Sequence, residues 1–191
     1  MHELDDEWAM SYSELCQYLT SKYGNVNGSY FIDSNYDAVN TAIKRPADGL
    51  YIHHIDENKY IQLTSPEYIR LQQAPFECQE KEHLVYCNWL EHIVLHYKIF
   101  IEYNNRPDKP IITINSETLP VILGLGGIVN YMVPQINDYY LFGTNKEKYI
   151  RWDKVVYDNL VKRLEETLDL PNLSTLSFAL ADVKQERKLV E

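Results

Sequence analysis

Cysteine, basic charge and long apolar runs are all scarce in this chain of 191 residues. Its three cysteines, Cys16, Cys78 and Cys87, are odd in number and show no CxxC spacing. That excludes a paired-cysteine zinc knot or a dithiol redox couple, and the expectation is reduced thiols in a cytoplasmic protein. The longest uncharged run, residues 118–137, is interrupted by Pro120, Gly124, Gly126, Gly127 and Pro134. It is too broken to cross a bilayer and reads as buried core or a subunit contact, so no membrane association is expected. The opening MHELDDEWAM is acidic where an export signal would be basic and then apolar.

Lysine and arginine number 18 against 28 aspartates and glutamates, a formal charge of −10. This balance argues against nucleic acid as a partner, because non-specific binding draws most of its affinity from cations set against phosphates. The objection is not decisive: net charge does not report local distribution, and a bound divalent cation inverts the local balance. An acidic surface also suits a protein partner.

What is present is a core-forming share of 45% hydrophobic residues, enough for one domain or a small catalytic module within helical additions. Residues 13–23 carry Leu15, Tyr18, Leu19 and Tyr23 at helical spacing, with Gly24 placed to end the helix. Residues 35–43 predict a second helix, stopped before Pro46. From Gly49 strand formers appear around Leu50, Tyr51, Ile52 and Ile55, followed by Asp56, Glu57 and Asn58, a solvated turn. Residues 65–73 predict an inserted helix with Pro66 at its first position. Residues 83–87 predict the second strand, and Asn88 caps a helix running to about residue 103. A short strand is expected at 111–114. A last helix is expected at 145–168, with Tyr149, Trp152, Val156, Leu160 and Leu164 recurring at three and four positions. Residues 179–191 are charged and read as a terminal helix or a tail.

Five of the six histidines fall between His53 and His96, leaving only His2 elsewhere. On one helix, His92 and His96 stand a turn apart and can grip a single cation. His53 and His54 are neighbours on a strand, so their side chains point to opposite sides of it. Glu91 reads as a solvated helix residue or as a partner for a histidine N–H beside a metal.

The runs GLYIHHIDEN and HLVYCNWLEHIVLH resemble the HNH nucleases of the ββα-metal (His-Me finger) class. Members often read HHIxxxN, then NLVxL, then EHxxxH. Here His83 occupies the position of the family's Asn, at the same nine-residue interval before His92. The resemblance covers residues 49–99. It implies an α+β fold with a small ββα-metal core at 49–104, an N-terminal helical region at 1–48 and a mainly helical region at 105–191.

It further implies one divalent metal ion held by His53, His92 and His96. His54 would be the general base, since imidazole accepts a proton near neutral pH. His83 would orient the base strand, and Arg45 would stabilise the transition state. Imidazole ligands suit Zn, Ni or Mn better than Mg. The implied reaction is hydrolysis of nucleic acid, DNA before RNA, leaving a 5′ phosphate and a 3′ hydroxyl. Homodimerisation through the 118–133 segment would suit double-strand cutting. Two alternatives stand beside it. One is a zinc-stabilised module that binds a protein without catalysis. The other is a toxin-like RNase or a phage, mobile-element or defence component, for which only the family's distribution argues.

Overall fold

A computed structural model describes residues 4–107, 111–114, 117–120, 122–142 and 154–177. The fold is α+β, with one helix at its centre. The first helix, α1, is Asp5–Ala9, and α2 is Tyr12–Tyr23. Ser11 and Glu14 cap the start of α2 reciprocally, and Gly24, with φ of 82°, releases the chain at its end. A second long helix does not follow. Phe31 and Val39 form an antiparallel bridge, and Asn40 N–H donates to the Tyr30 carbonyl. The turn between them is closed by Asp33, which accepts from the backbone of Asn35 and Tyr36. Only the short 3-10 turn Thr41–Ile43 remains of the helix expected over 35–43. The Asp and Asn side chains win the backbone donors that a helix would have used.

Strand β1, Tyr51–His54, pairs antiparallel with β2, Leu84–Cys87, so that His53 lies opposite Val85 and His54 opposite Leu84. Between the strands runs the inserted helix α3, Pro66–Gln72, ended by Gln73 in the left-handed region. The chain leaves β2 directly into α4, Trp89–Tyr103, through an Asn88–Glu91 capping box. Leu90, Ile93, Val94, Leu95 and Ile99 of α4 are fully buried. Fully burying one such side chain contributes about 1.5–3 kcal/mol, so α4 is anchored on several sides at once. The cluster around it draws Leu15 and Leu19 from α2, Val85 from β2, and Leu160 and Leu164 from the C-terminal helix.

A second hairpin pairs β3, Ile111–Ile114, with β4, Glu117–Pro120. Then α5, Leu125–Gly127, continues through a π-helical turn, Ile128–Met132, into α6, Val133–Phe142. Pro134 has no N–H for the carbonyl four residues earlier, and the widened turn accommodates that loss. Helix α7 is Lys154–Leu168 and buries Tyr157, Leu160, Val161 and Leu164. The earlier turns expected for this helix, with Tyr149 and Trp152, lie outside the described residues, as do residues 179–191. Among the described residues no helix is long and apolar enough to cross a membrane.

Candidate metal centre

His53 sits near the end of β1, on the face turned toward α4. Its ring centroid lies 5.1 Å from that of His92 and 5.3 Å from that of His96. The chain then tightens into the 3-10 turn Ile55–Asn58, which carries Glu57 back beneath His53. Ligand atoms of His53, Glu57, His92 and His96 all lie within 4.8 Å of one another, so the group could hold one metal ion.

The hydrogen bonds around the rings decide which nitrogens face inward. The Tyr12 hydroxyl donates to the Ile55 carbonyl at 2.7 Å, which uses its only proton. Its 2.8 Å contact with His53 Nε2 therefore requires Nε2–H to donate to the hydroxyl oxygen. Burial pushes the His53 pKa well down, so the ring is neutral and Nδ1 carries a lone pair. That atom is buried without a hydrogen-bond partner and lies 3.7 Å from Glu57 Oε2. His96 repeats the arrangement with its nitrogens exchanged. Its Nδ1–H donates to the Gly124 carbonyl at 3.1 Å, which turns Nε2 toward Glu57 Oε2, also at 3.1 Å.

A carboxylate set against imidazole nitrogens needs positive charge between them, either a proton on His96 Nε2 or a metal ion. A tetrahedral zinc ion about 2.0–2.1 Å from each donor would separate the donors by about 3.4 Å. The 3.1 and 3.7 Å separations bracket that value. Burial alone would raise the Glu57 pKa, but the hydrogen bond and positive charge that His96 brings when protonated hold its carboxyl far below the ordinary range. Burial, and next the neighbouring His96, bring His92 down to about 3, and its Nδ1 also lacks a partner. Metal-ligating histidines characteristically give their second N–H to a hydroxyl or carbonyl, as His53 does to Tyr12 and His96 to Gly124.

The backbone of α5 seals one side. A Cβ at Gly127 would lie 2.5 Å from the His96 ring, so only glycine allows this approach. Glu57, His92 and His96 also line an open cavity of about 340 Å3 between the first hairpin and the 122–135 segment.

No protein-family model, curated protein or solved structure matches the chain.

The remaining site candidates lie elsewhere. His54 points to the opposite side of β1 and is completely buried. The Gln79 amide donates to the Leu63 carbonyl, so its oxygen faces His54 Nε2 at 3.0 Å and accepts from it. His54 Nδ1 is left with a lone pair, buried and unpartnered. The Tyr30 ring closes over this histidine at 4.7 Å.

His83 precedes β2 and is not among the four clustered ligands; its Nδ1 lies 2.5 Å from Asp56 Oδ2, and its Nε2 lies 3.5 Å from Glu77 Oε1. It thereby ties the turn after β1 to the start of β2. Arg45 binds Asp48 at 2.8 Å and the Tyr23 carbonyl at 2.8 Å, and stacks on Tyr86, so the structure does not bring it to the cluster.

The solvated-turn reading of residues 56–58 is corrected. Asp56 is buried and bonded to Lys59 and His83, and Glu57 belongs to the cluster. Its signal in the sequence was the four-residue spacing from His53, hidden because the strand ends between them. Glu91 is buried too; it completes the cap of α4 and receives Lys22 at 2.6 Å, far from a solvated role.

Proposed function

We propose that the chain is a metal-dependent phosphodiester hydrolase of the HNH type, acting on DNA before RNA. The observation that carries this reading is the convergence of His53, from a strand of an antiparallel hairpin, with His92 and His96, from the helix that follows it. A divalent ion there supplies Lewis-acid stabilisation of charge on the scissile phosphate and the departing oxygen. His53, His92 and His96 hold it, with Tyr12 and Gly124 fixing the two imidazole orientations. His54 is the base on this reading: Gln79 holds the proton on Nε2 and leaves Nδ1 bare, and because that atom is buried beneath Tyr30 on the other side of β1, the reading requires Tyr30 to swing aside and admit water. His83, through Asp56, braces the turn that joins the base strand to the ligand Glu57.

The test is cleavage of plasmid, single-stranded DNA and RNA across Zn, Mn, Ni and Mg, run beside His54→Ala and His92→Ala. The reading expects His54→Ala to bind metal and lose at least about a hundredfold in rate, in keeping with the usual worth of a general base. Unchanged nicking by His54→Ala overturns the base assignment.

A second reading is favoured by Glu57. Four protein donors close a tetrahedral ion, as in structural zinc sites, whereas catalytic sites keep a position open. On that reading the metal stabilises a protein-binding module. Glu57→Gln separates the two. A structural site loses metal affinity and stability together, while a catalytic site with Glu57 displaced by water keeps its ion on three imidazoles.

A further inference from the structure

The cavity beside the metal centre is unlike a phosphate groove. Among the described residues that line it there is no lysine or arginine. Its walls include the rings of Tyr60, Trp89 and Tyr131, and the amides of Gln62 and Asn130 stand among them. Its size, about 340 Å3, lies in the range of pockets that take a small organic group. Trp89 is 7% exposed, and its indole N–H is buried with no acceptor. Tyr131 is 57% exposed and rises from the π-helical turn, a distortion often found at functional sites.

We propose that this cavity receives one unstacked nucleobase, placing the adjoining phosphate at the metal centre, so that the substrate is nucleic acid with an unpaired nucleotide. The proposal rests on the nuclease reading above and names its substrate class. The chemistry of the walls fits a base and not a backbone. Aromatic faces accept any base by stacking, the amides of Gln62 and Asn130 meet the polar edge of the ring, and Glu57, the one carboxylate among the described lining residues, stays at the metal end. It also answers the charge problem. A chain at −10 draws little affinity from counterion release, so a base contact and a metal contact together replace the missing cations.

The experiment uses the zinc- or manganese-loaded full chain and three labelled duplexes: fully paired, with one bulged nucleotide, and with an abasic residue at the bulge. Cleavage at the bulge is expected to exceed that of the paired duplex at least tenfold, and the abasic bulge to lose the gain. Binding is read separately with a methylphosphonate at the adjoining linkage, which prevents turnover. The bulge should bind about tenfold tighter than its abasic counterpart, and Tyr131→Ala should erase that difference while metal content stays at one ion per chain. Cleavage with no preference for the bulge, and equal binding of bulged and abasic duplexes, overturns the base pocket and leaves the nuclease reading standing. Preferential binding without cleavage under any metal upholds the pocket and overturns the nuclease. Absence of both overturns both.

Discussion

Tyr12 Oη stands 2.8 Å from His53 Nε2, and that contact decides which nitrogen of His53 faces the candidate metal centre. Tyr12→Phe keeps the buried ring but removes the only acceptor for Nε2–H. The imidazole is then free to shift its proton to Nδ1, the atom a metal needs bare. Loss of such a supporting bond typically lowers metal affinity about 10–100-fold. Competition with a chromogenic chelator should show that drop while the far-ultraviolet circular dichroism is unchanged. An unaltered affinity would mean that Nδ1 of His53 is not a ligand.

Gly127 tests the other wall. An added methyl group would meet the His96 ring at 2.5 Å, too close for any side chain to tolerate unmoved. Overpacking of this kind costs about 1–3 kcal/mol. For Gly127→Ala the expected outcome is a lower thermal midpoint and weaker zinc binding, since the displaced ring breaks its bond to the Gly124 carbonyl. Gly126→Ala has nothing closer than 3.7 Å at its Cβ position and serves as the control, with metal affinity retained.

How far the site could be read in advance depended on whether its parts were neighbours in sequence. The pairing of His92 with His96, the Asn88 cap and the end of α2 at Gly24 follow from local rules and stand in the structure as expected. Glu57 escaped because an Asp-Glu-Asn run is ordinarily a turn in water, and only the burial of that turn against α4 brings its carboxylate to the histidines. The opposite orientation of His54 follows from strand alternation, but its enclosure by Tyr30 and Gln79 comes from segments more than twenty residues away on either side. Tyr12, which sets the His53 tautomer, is 41 residues distant, and no local pattern announces it.

The three thiols should be chemically silent in the native chain. Burial pushes Cys16 and Cys78 up to about 12, and Cys87 well above its ordinary value. All three remain thiols rather than reactive thiolates at neutral pH. Disulfide-exchange reagents at pH 8 should titrate almost no thiol before denaturation and three per chain afterwards. The same shifts fix an alkaline limit. A folded pKa above the unfolded one favours the native state below about 9 and loses that advantage as pH rises toward 12. Urea midpoints should therefore hold level to about pH 9 and fall beyond it; a midpoint that rises through this window would contradict the sign.

Gln79 gives the sharpest test of how His54 is held. Its amide is fully buried, accepting from His54 Nε2 and donating to the Leu63 carbonyl. Gln79→Leu strands a donor and an acceptor inside the protein, at a cost of about 1–3 kcal/mol for each. The urea midpoint should fall with little change in slope. His54→Leu alone strands only the Gln79 oxygen. Replacing both residues removes the donor and its acceptor together, so the double variant should be less destabilised than the sum of the singles. Strict additivity would show that the two side chains do not share a hydrogen bond, and the tautomer that leaves His54 Nδ1 bare would lose its support.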